Sequence, residues 1–168
     1  MNSSAHKVLI LCTGNSARSV LGEYLLREKG RGRFETYSAG SHPTGRINPY
    51  AVRVLREVYG IDASGARSKS WDEFKSVSFK IVITVCDNAK ESCPIFPGRA
   101  IMVHFSSPDP AGVEGTDDQK RTAFVQVAQQ ISKRMEALCA LSDAELDSAH
   151  LAAIGDSFKL DGEQAMKR

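Results

Sequence analysis

Three of the four cysteines in this 168-residue chain stand where a thiol could react. The first opens the run Cys12-Thr13-Gly14-Asn15-Ser16-Ala17-Arg18-Ser19, directly behind the aliphatic run Val8-Leu9-Ile10-Leu11. Four consecutive aliphatic residues read as a buried strand of a parallel sheet. From Ser16 onward, Val20, Leu21, Tyr24 and Leu25 recur at helical spacing. A strand that passes through a tight Gly/Asn turn into a helix aims backbone N–H groups and the helix dipole at one point, which is an anion site. Residues 13–19 are its expected oxyanion-binding wall.

The chemistry asks for these residue types. A helix N-terminus and a nearby guanidinium favour the thiolate form of Cys12, and the Ser19 hydroxyl can donate to the same sulfur. Gly14 permits positive φ, and Asn15 tolerates left-handed geometry while its amide braces the turn. Arg18 carries a planar fork that meets two oxygens of a tetrahedral oxyanion, which a lysine cannot do. An isolated C-x5-R would be a structural cysteine beside a surface arginine; the flanking strand and helix argue for a site. The loop has neither the G-x-G-x-x-G of dinucleotide sites nor the closing G-K-[ST] of nucleotide P-loops.

The other two cysteines bracket the run Cys86-Asp-Asn-Ala-Lys-Glu-Ser-Cys93, which begins where the apolar stretch 80–85 ends. This segment reads as a polar, mobile loop through Gly98. Further on, Asp109 lies between Pro108 and Pro110, which fixes its approach; a carboxyl there can act as general acid, or simply cap a turn. Cys139 falls beside the apolar face of a long helix and reads as a small buried hydrophobe.

Elements at 7–11, 34–38, 80–85 and 100–103 read as strands, and those at 17–29, 49–59 and 117–140 as helices. Asn48-Pro49 is a helix start, with Asn as N-cap and Pro in the first turn. A short helical piece is expected around 71–75, and Ser142-Asp-Ala-Glu145 has capping-box spacing that opens a weak helix to about residue 154. Alternating strands and helices give an α/β fold: a three-layer sandwich around a four-stranded parallel sheet. Right-handed crossovers then favour the order 2-1-3-4, with ligands at the carboxyl ends of strands one and three. Neighbouring strands lie about 4.8 Å apart, so Cys12 and Cys86 should stand close to disulfide reach. Residues 1–141 form the expected main domain and 142–168 a helical or flexible tail, polar and mobile from 155.

The charge is nearly balanced at +2, with no basic block suited to nucleic acid and no run long enough to span a membrane. The N-terminus lacks a signal-peptide apolar region, so a cytoplasmic protein with reduced thiols is expected. The four histidines and four cysteines show no metal-ligand spacing, so no metal is expected.

The chain resembles the arsenate reductases built on the low-molecular-weight protein tyrosine phosphatase fold, over about residues 7–140. The carriers are CTGNSARS at 12–19, YSAGSHP at 37–43, SKSWDEF at 68–74, VITVCDNAKESCPIFPG at 82–98 and PDPA at 108–111. The anion loop is common to reductases and phosphatases; Cys86 and Cys93, six residues apart, belong to the reductase pattern. Phosphatases of this fold usually have a second cysteine where Ala17 stands and an aromatic residue where Ala111 stands. The resemblance implies that Cys12 attacks arsenate held by the loop and Arg18 while Asp109 assists loss of hydroxide as water. Cys86 then attacks Cys12, releasing arsenite, and Cys93 attacks Cys86 and presents the disulfide to an external thiol reductant. Thioredoxin is the implied donor, with glutaredoxin and glutathione or mycothiol as alternatives, and no bound cofactor. The competing readings are a phosphatase working through a phosphocysteine, which needs neither Cys86 nor Cys93, and a non-catalytic oxyanion-binding or redox-sensing module.

Overall fold

The computed structural model describes residues 4–160. Its centre is β1 (His6–Cys12), in which Val8, Leu9, Ile10 and Leu11 are wholly buried. Both edges of β1 are occupied: β2 (Phe34–Gly40) pairs on one side and β3 (Ile81–Thr84) on the other, and β4 (Ile101–His104) follows β3. All three pairings are parallel, in the order β2-β1-β3-β4 expected from the sequence. The register sets Cys12 opposite Gly40 and Leu11 opposite Thr84, so the loops after β1 and β3 leave the same edge of the sheet.

One face of the sheet is covered by α1 (Arg18–Gly30), α4 (Asp117–Cys139) and α5 (Ser148–Gly155), with α2 (Pro49–Tyr59) against α4 and α1. Along β2, Thr36 and Ser38 point to α1, where both hydroxyls donate to Glu23. Strand alternation therefore sends Tyr37 to the other face. There it meets Phe74 and Phe79 edge-on, and Phe79 meets Phe96. Aromatic rings and short turns, including the 3-10 piece Trp71–Phe74, close this second face where a long helix is absent. The helix ends follow their capping residues: Asn48 accepts from Tyr50 N at 2.9 Å, and Thr116 and Gln119 form a reciprocal capping box.

Two expectations change. The segment after Cys86 is not an irregular loop: Asp87–Ser92 forms a short helix, α3, with Cys86 as N-cap. An acid in the first turn and the complete burial of Ala89 explain why a polar segment winds here. Nor is residue 155 the start of loose chain. Leu146, Leu151 and Ile154 join the main core, Gly155 is buried, and Arg134 donates to the carbonyls of Gly155 and Ser157. The rest of that polar segment, 161–168, lies outside the described residues.

Gly40 is where the sheet meets the anion loop. A Cβ on it would collide with Thr13 O and lie 3.0 Å from Asn15 N, both backbone atoms. Gly40→Ala should therefore destabilise the fold by about 1–3 kcal/mol, as overpacking does. Gly65→Ala, where an added Cβ meets nothing within 4 Å, should change stability little. Chemical denaturation of the two variants checks this, and equal midpoints would refute it.

Candidate active site

The loop between β1 and α1 is held from behind. Cys12 O accepts from Ser41 N (3.2 Å), Thr13 O from His42 N (2.9 Å), Gly14 O from Thr44 N (3.0 Å) and Ser16 O from Asn48 N (2.9 Å). Ser68 Oγ adds a second bond to Gly14 O at 3.0 Å. With the carbonyls drawn outward to the β2–α2 connection and Ser68, the amides curl inward. Among the described residues, the N–H groups of Gly14, Ser16 and Ala17 have no protein acceptor, and the first amides of α1 lack one by the geometry of any helix start. The resulting concave set of donors is an oxyanion cradle.

Asn15, not Gly14, takes the positive φ (47°) in this turn. Asparagine tolerates this region because its short amide bonds locally, and here the amide is saturated. Its Nδ2 donates to Ser19 Oγ (2.8 Å) and Ser38 Oγ (3.0 Å), while its Oδ1 accepts from Lys69 N (2.9 Å). Gly14 serves packing instead: a Cβ there would stand 3.1 Å from Thr44 Cγ2. Because Ser19 Oγ already accepts from Asn15, its own proton is free for the Cys12 sulfur, 2.9 Å away. Asn15 N–H donates to the same sulfur at 3.2 Å. Two donors thus meet Cys12 Sγ, the arrangement an anionic sulfur accepts. Behind them the chain continues from Ser38 to Glu23 (2.6 Å), which Arg27 pairs at 2.6 Å.

Arg18, the first residue of α1, is mostly buried along its side chain. Its Nη1 donates to Ser107 O (3.0 Å) and its Nη2 stands 3.9 Å from Asp109 Oδ2. Asp109 divides its carboxylate between both of the roles read from its sequence. Oδ1 accepts from Ala111 N (3.0 Å) and caps the turn Pro110–Gly112, while Oδ2 faces Arg18.

Thr13, Arg18, Cys86, Asn88, Ser107 and Asp109 line a common cavity of about 230 Å³. Pockets for drug-sized ligands measure about 300–1,000 Å³, so this smaller one suits a small anion. Cys86 is buried, and its sulfur lies 3.3 Å from Thr13 Oγ1. Asn88 Nδ2 donates to that hydroxyl (3.2 Å), which frees the threonine proton for the sulfur just as at Ser19. Loop and second thiol are therefore coupled through one side chain, and both cysteines are free thiols.

Cys93 is not part of that cavity. It caps the other end of α3, half-buried against a smaller cavity of about 120 Å³ lined by Thr84, Met102, Val103 and His104, and its thiol donates to Pro94 O at 3.5 Å. Burial pushes its pKa up. The six residues of α3 between them set the Cα atoms of Cys86 and Cys93 about 10 Å apart, beyond the roughly 4.4–6.8 Å of a disulfide. The two can bond only if α3 unwinds. Cys139, read as buried, is only half-buried: it packs against the edge of the core at the end of α4, and burial raises its pKa. Among the described residues no cluster of His, Cys, Asp or Glu could hold a metal ion, and no helix is long and apolar enough to cross a membrane.

Asn88, Ser107, Ser38, Glu23 and Lys69 were not singled out from the sequence. One signal existed for Thr36 and Ser38: hydroxyls on the buried face of a strand imply a buried partner. Removing the brace tests its role. Asn15→Ala strips three hydrogen bonds from buried groups and should cost about 1–3 kcal/mol. It should also weaken the protection that inorganic phosphate gives Cys12 against alkylation. Protection at the wild-type phosphate concentration would show that the loop holds its shape without Asn15.

The low molecular weight phosphotyrosine protein phosphatase family matches residues 7–150. An arsenate reductase from Halalkalibacterium halodurans is 36% identical over 129 residues, which span 77% of this chain and 91% of that protein. The crystal structure of an arsenate reductase from Archaeoglobus fulgidus superposes with a TM-score of 0.65 at 26% identity, over 80% of this chain and 99% of that one. A thioredoxin-dependent arsenate reductase from Corynebacterium glutamicum gives 0.59 at 26% identity, over 82% of this chain and 62% of that one. With its parallel sheet, its anion loop and a match over most of its length, this chain belongs to the low molecular weight phosphotyrosine protein phosphatase family.

Proposed function

We propose that this protein reduces arsenate to arsenite through a relay of three thiols. The carrying observation is that Cys86 shares the oxyanion cavity with Arg18 and Asp109 and is bonded to the loop through Thr13. A phosphatase needs the loop, the arginine and the acid; only a reductase needs a second thiol on that wall. The resemblance to arsenate reductases supports the same reading.

The anion sits against the amides of residues 13–19 and the Arg18 fork. Arg18 releases Ser107 O or reorients to meet it. The Cys12 thiolate attacks arsenic(V) and an As–O bond breaks; Asp109, through the oxygen not used in capping, gives the leaving oxygen its proton, so that water departs. The Cys86 thiolate then attacks Cys12 Sγ. The S–S bond forms, the S–As bond breaks, and its electron pair stays on arsenic, which leaves as arsenite. In the third step Cys93 attacks Cys86, Cys12 departs as thiolate, and a Cys86–Cys93 disulfide remains. An external dithiol completes the cycle. A thioredoxin fits best, because Cys93 carries the disulfide out of the cavity and one structural relative is thioredoxin-dependent; glutathione with glutaredoxin, or mycothiol, would be the other donors. Such a cycle belongs in the reducing cytoplasm.

Cys12→Ser and Cys86→Ser should abolish arsenite formation. Cys93→Ser should make one equivalent and stop with a Cys12–Cys86 disulfide, visible by mass spectrometry. Cys86→Ser should still hydrolyse p-nitrophenyl phosphate slowly, because the loop is intact. Sustained arsenate turnover by Cys86→Ser with thioredoxin would sink the relay and return the chain to the phosphatase reading.

A further inference from the structure

The helix α3 separates two thiols that must meet, so whatever keeps it wound controls their meeting. Three contacts tie it down. Ala89 is fully buried, Asn88 donates to Thr13, and Asp87 Oδ1 lies 3.0 Å from His104 Nε2. The third is unlike the others because its far end belongs to the sheet. His104 is the last residue of β4, and its Nδ1 lies 2.7 Å from Thr84 Oγ1, the last residue of β3. The imidazole also lines the small cavity that holds Cys93. It is therefore anchored on the two strand ends, touches the first turn of α3 and borders the thiol at its last.

The bonding defines the ring. The Asp87 carboxylate only accepts, so Nε2 carries the proton; Nδ1 of the neutral ring then accepts from Thr84 O–H. Burial lowers the His104 pKa and so favours the neutral ring, against the opposing pull of Asp87. The Asp87 side chain, by contrast, is 68% exposed. One end of the contact is thus rigid and the other can be released to water.

We propose that the Asp87–His104 contact is a latch on α3, in which His104 is a positioning residue that holds the helix wound and so sets the rate at which Cys93 closes on Cys86. The inference rests on the thiol relay proposed above and adds a control to its third step. A closed latch keeps Cys86 as a free thiol facing the oxyanion cavity. An open one lets the segment 87–92 unwind and shortens the path of about 10 Å to bonding distance. Without the latch, the reduced protein would lose Cys86 to a Cys86–Cys93 disulfide whenever a stray oxidant arrived.

The closing step can be read without arsenate, in a Cys12→Ser background with oxidised glutathione as probe. The Cys86 thiolate attacks the probe and expels one glutathione thiolate. Cys93 then attacks the Cys86 sulfur and expels the second, so two protein thiols are oxidised and one disulfide is reduced. At saturating probe the rate reports closure, measured by acid quench, alkylation and mass spectrometry. His104→Phe and Asp87→Ala should each speed closure about tenfold, the scale of losing a hydrogen bond to a charged group. The double variant should stay within about twofold of either single one, because both remove the same contact. Asp87→Asn keeps an acceptor oxygen and should stay within about threefold of the parent. Unchanged rates in the single variants, or effects that multiply in the double one, would overturn the latch. So would a full acceleration by Asp87→Asn, which would assign the effect to the charge on the first turn of α3. If His104→Phe fails to fold by circular dichroism, the two substitutions at exposed Asp87 carry the test alone. Failure of the reductase reading would show in the arsenate assay of Cys86→Ser, and failure of the latch only here.

Discussion

The site depends on a turn four of whose carbonyls are claimed from outside. Four amides from the β2–α2 connection and the Ser68 hydroxyl bind the carbonyls of residues 12, 13, 14 and 16, which leaves the loop's own amides facing inward. Exposed in water such a turn would relax, because its amides could find solvent instead. Here the buried side chain of Asn15 makes that costly: it spends every polar atom on Ser19, Ser38 and Lys69, so any shift of the turn would strand a buried polar group. Gly40 permits the arrangement by letting β2 pass against Thr13 and Asn15 with no side chain between. The cradle is thus preorganised, and an arriving anion need not order it.

From that turn the environments of the three thiols fall in sequence. Cys12 receives two donors, from Asn15 N–H and Ser19 O–H. Cys86 receives one, from Thr13, whose proton is directed by Asn88. Cys93 is itself the donor, to a carbonyl, and burial disfavours its ionisation. In the proposed relay, where the nucleophiles would act in turn, the first thiol is set by the loop and the last is withheld by a helix. The withholding is local: a six-residue helix is marginal by itself, so tertiary contacts at Ala89, Asn88 and Asp87 decide whether it stays wound.

The period-2 and period-3.6 patterns, read from residues alone, carry the sheet, its order and most of the helices. They succeed because β1 is a continuous aliphatic run, α2 starts at a clear cap in Asn48 and α4 carries a long apolar face. They fail where burial overrules composition. The segment 87–92 is polar throughout except for Ala89, and only the space beneath that residue turns it into a helix. The stretch after Gly155 reads as loose chain, yet Arg134, far upstream in α4, gathers its carbonyls. At the site, Cys12, Arg18, Cys86 and Asp109 are legible because their chemistry is unusual for their positions. Their supports, Ser38, Glu23, Asn88, Ser107 and Lys69, are ordinary polar residues whose roles come from the side chains they meet.

The candidate set is written in the chain itself: a thiol at the end of a buried strand, an arginine six residues on, a second thiol at the end of another strand and an acid between prolines. Strand adjacency follows from chain order and handedness, so even the nearness of the first two thiols was implicit in it. Three features came from packing instead: Asn15 and not Gly14 bears the left-handed turn, Asp109 splits its oxygens between a cap and the cavity, and α3 stands between Cys86 and Cys93. The three share one cause. Each depends on which distant group satisfies a buried donor or acceptor, or fills a buried space, and no local pattern records partners more than fifty residues away, as Lys69 is from Asn15.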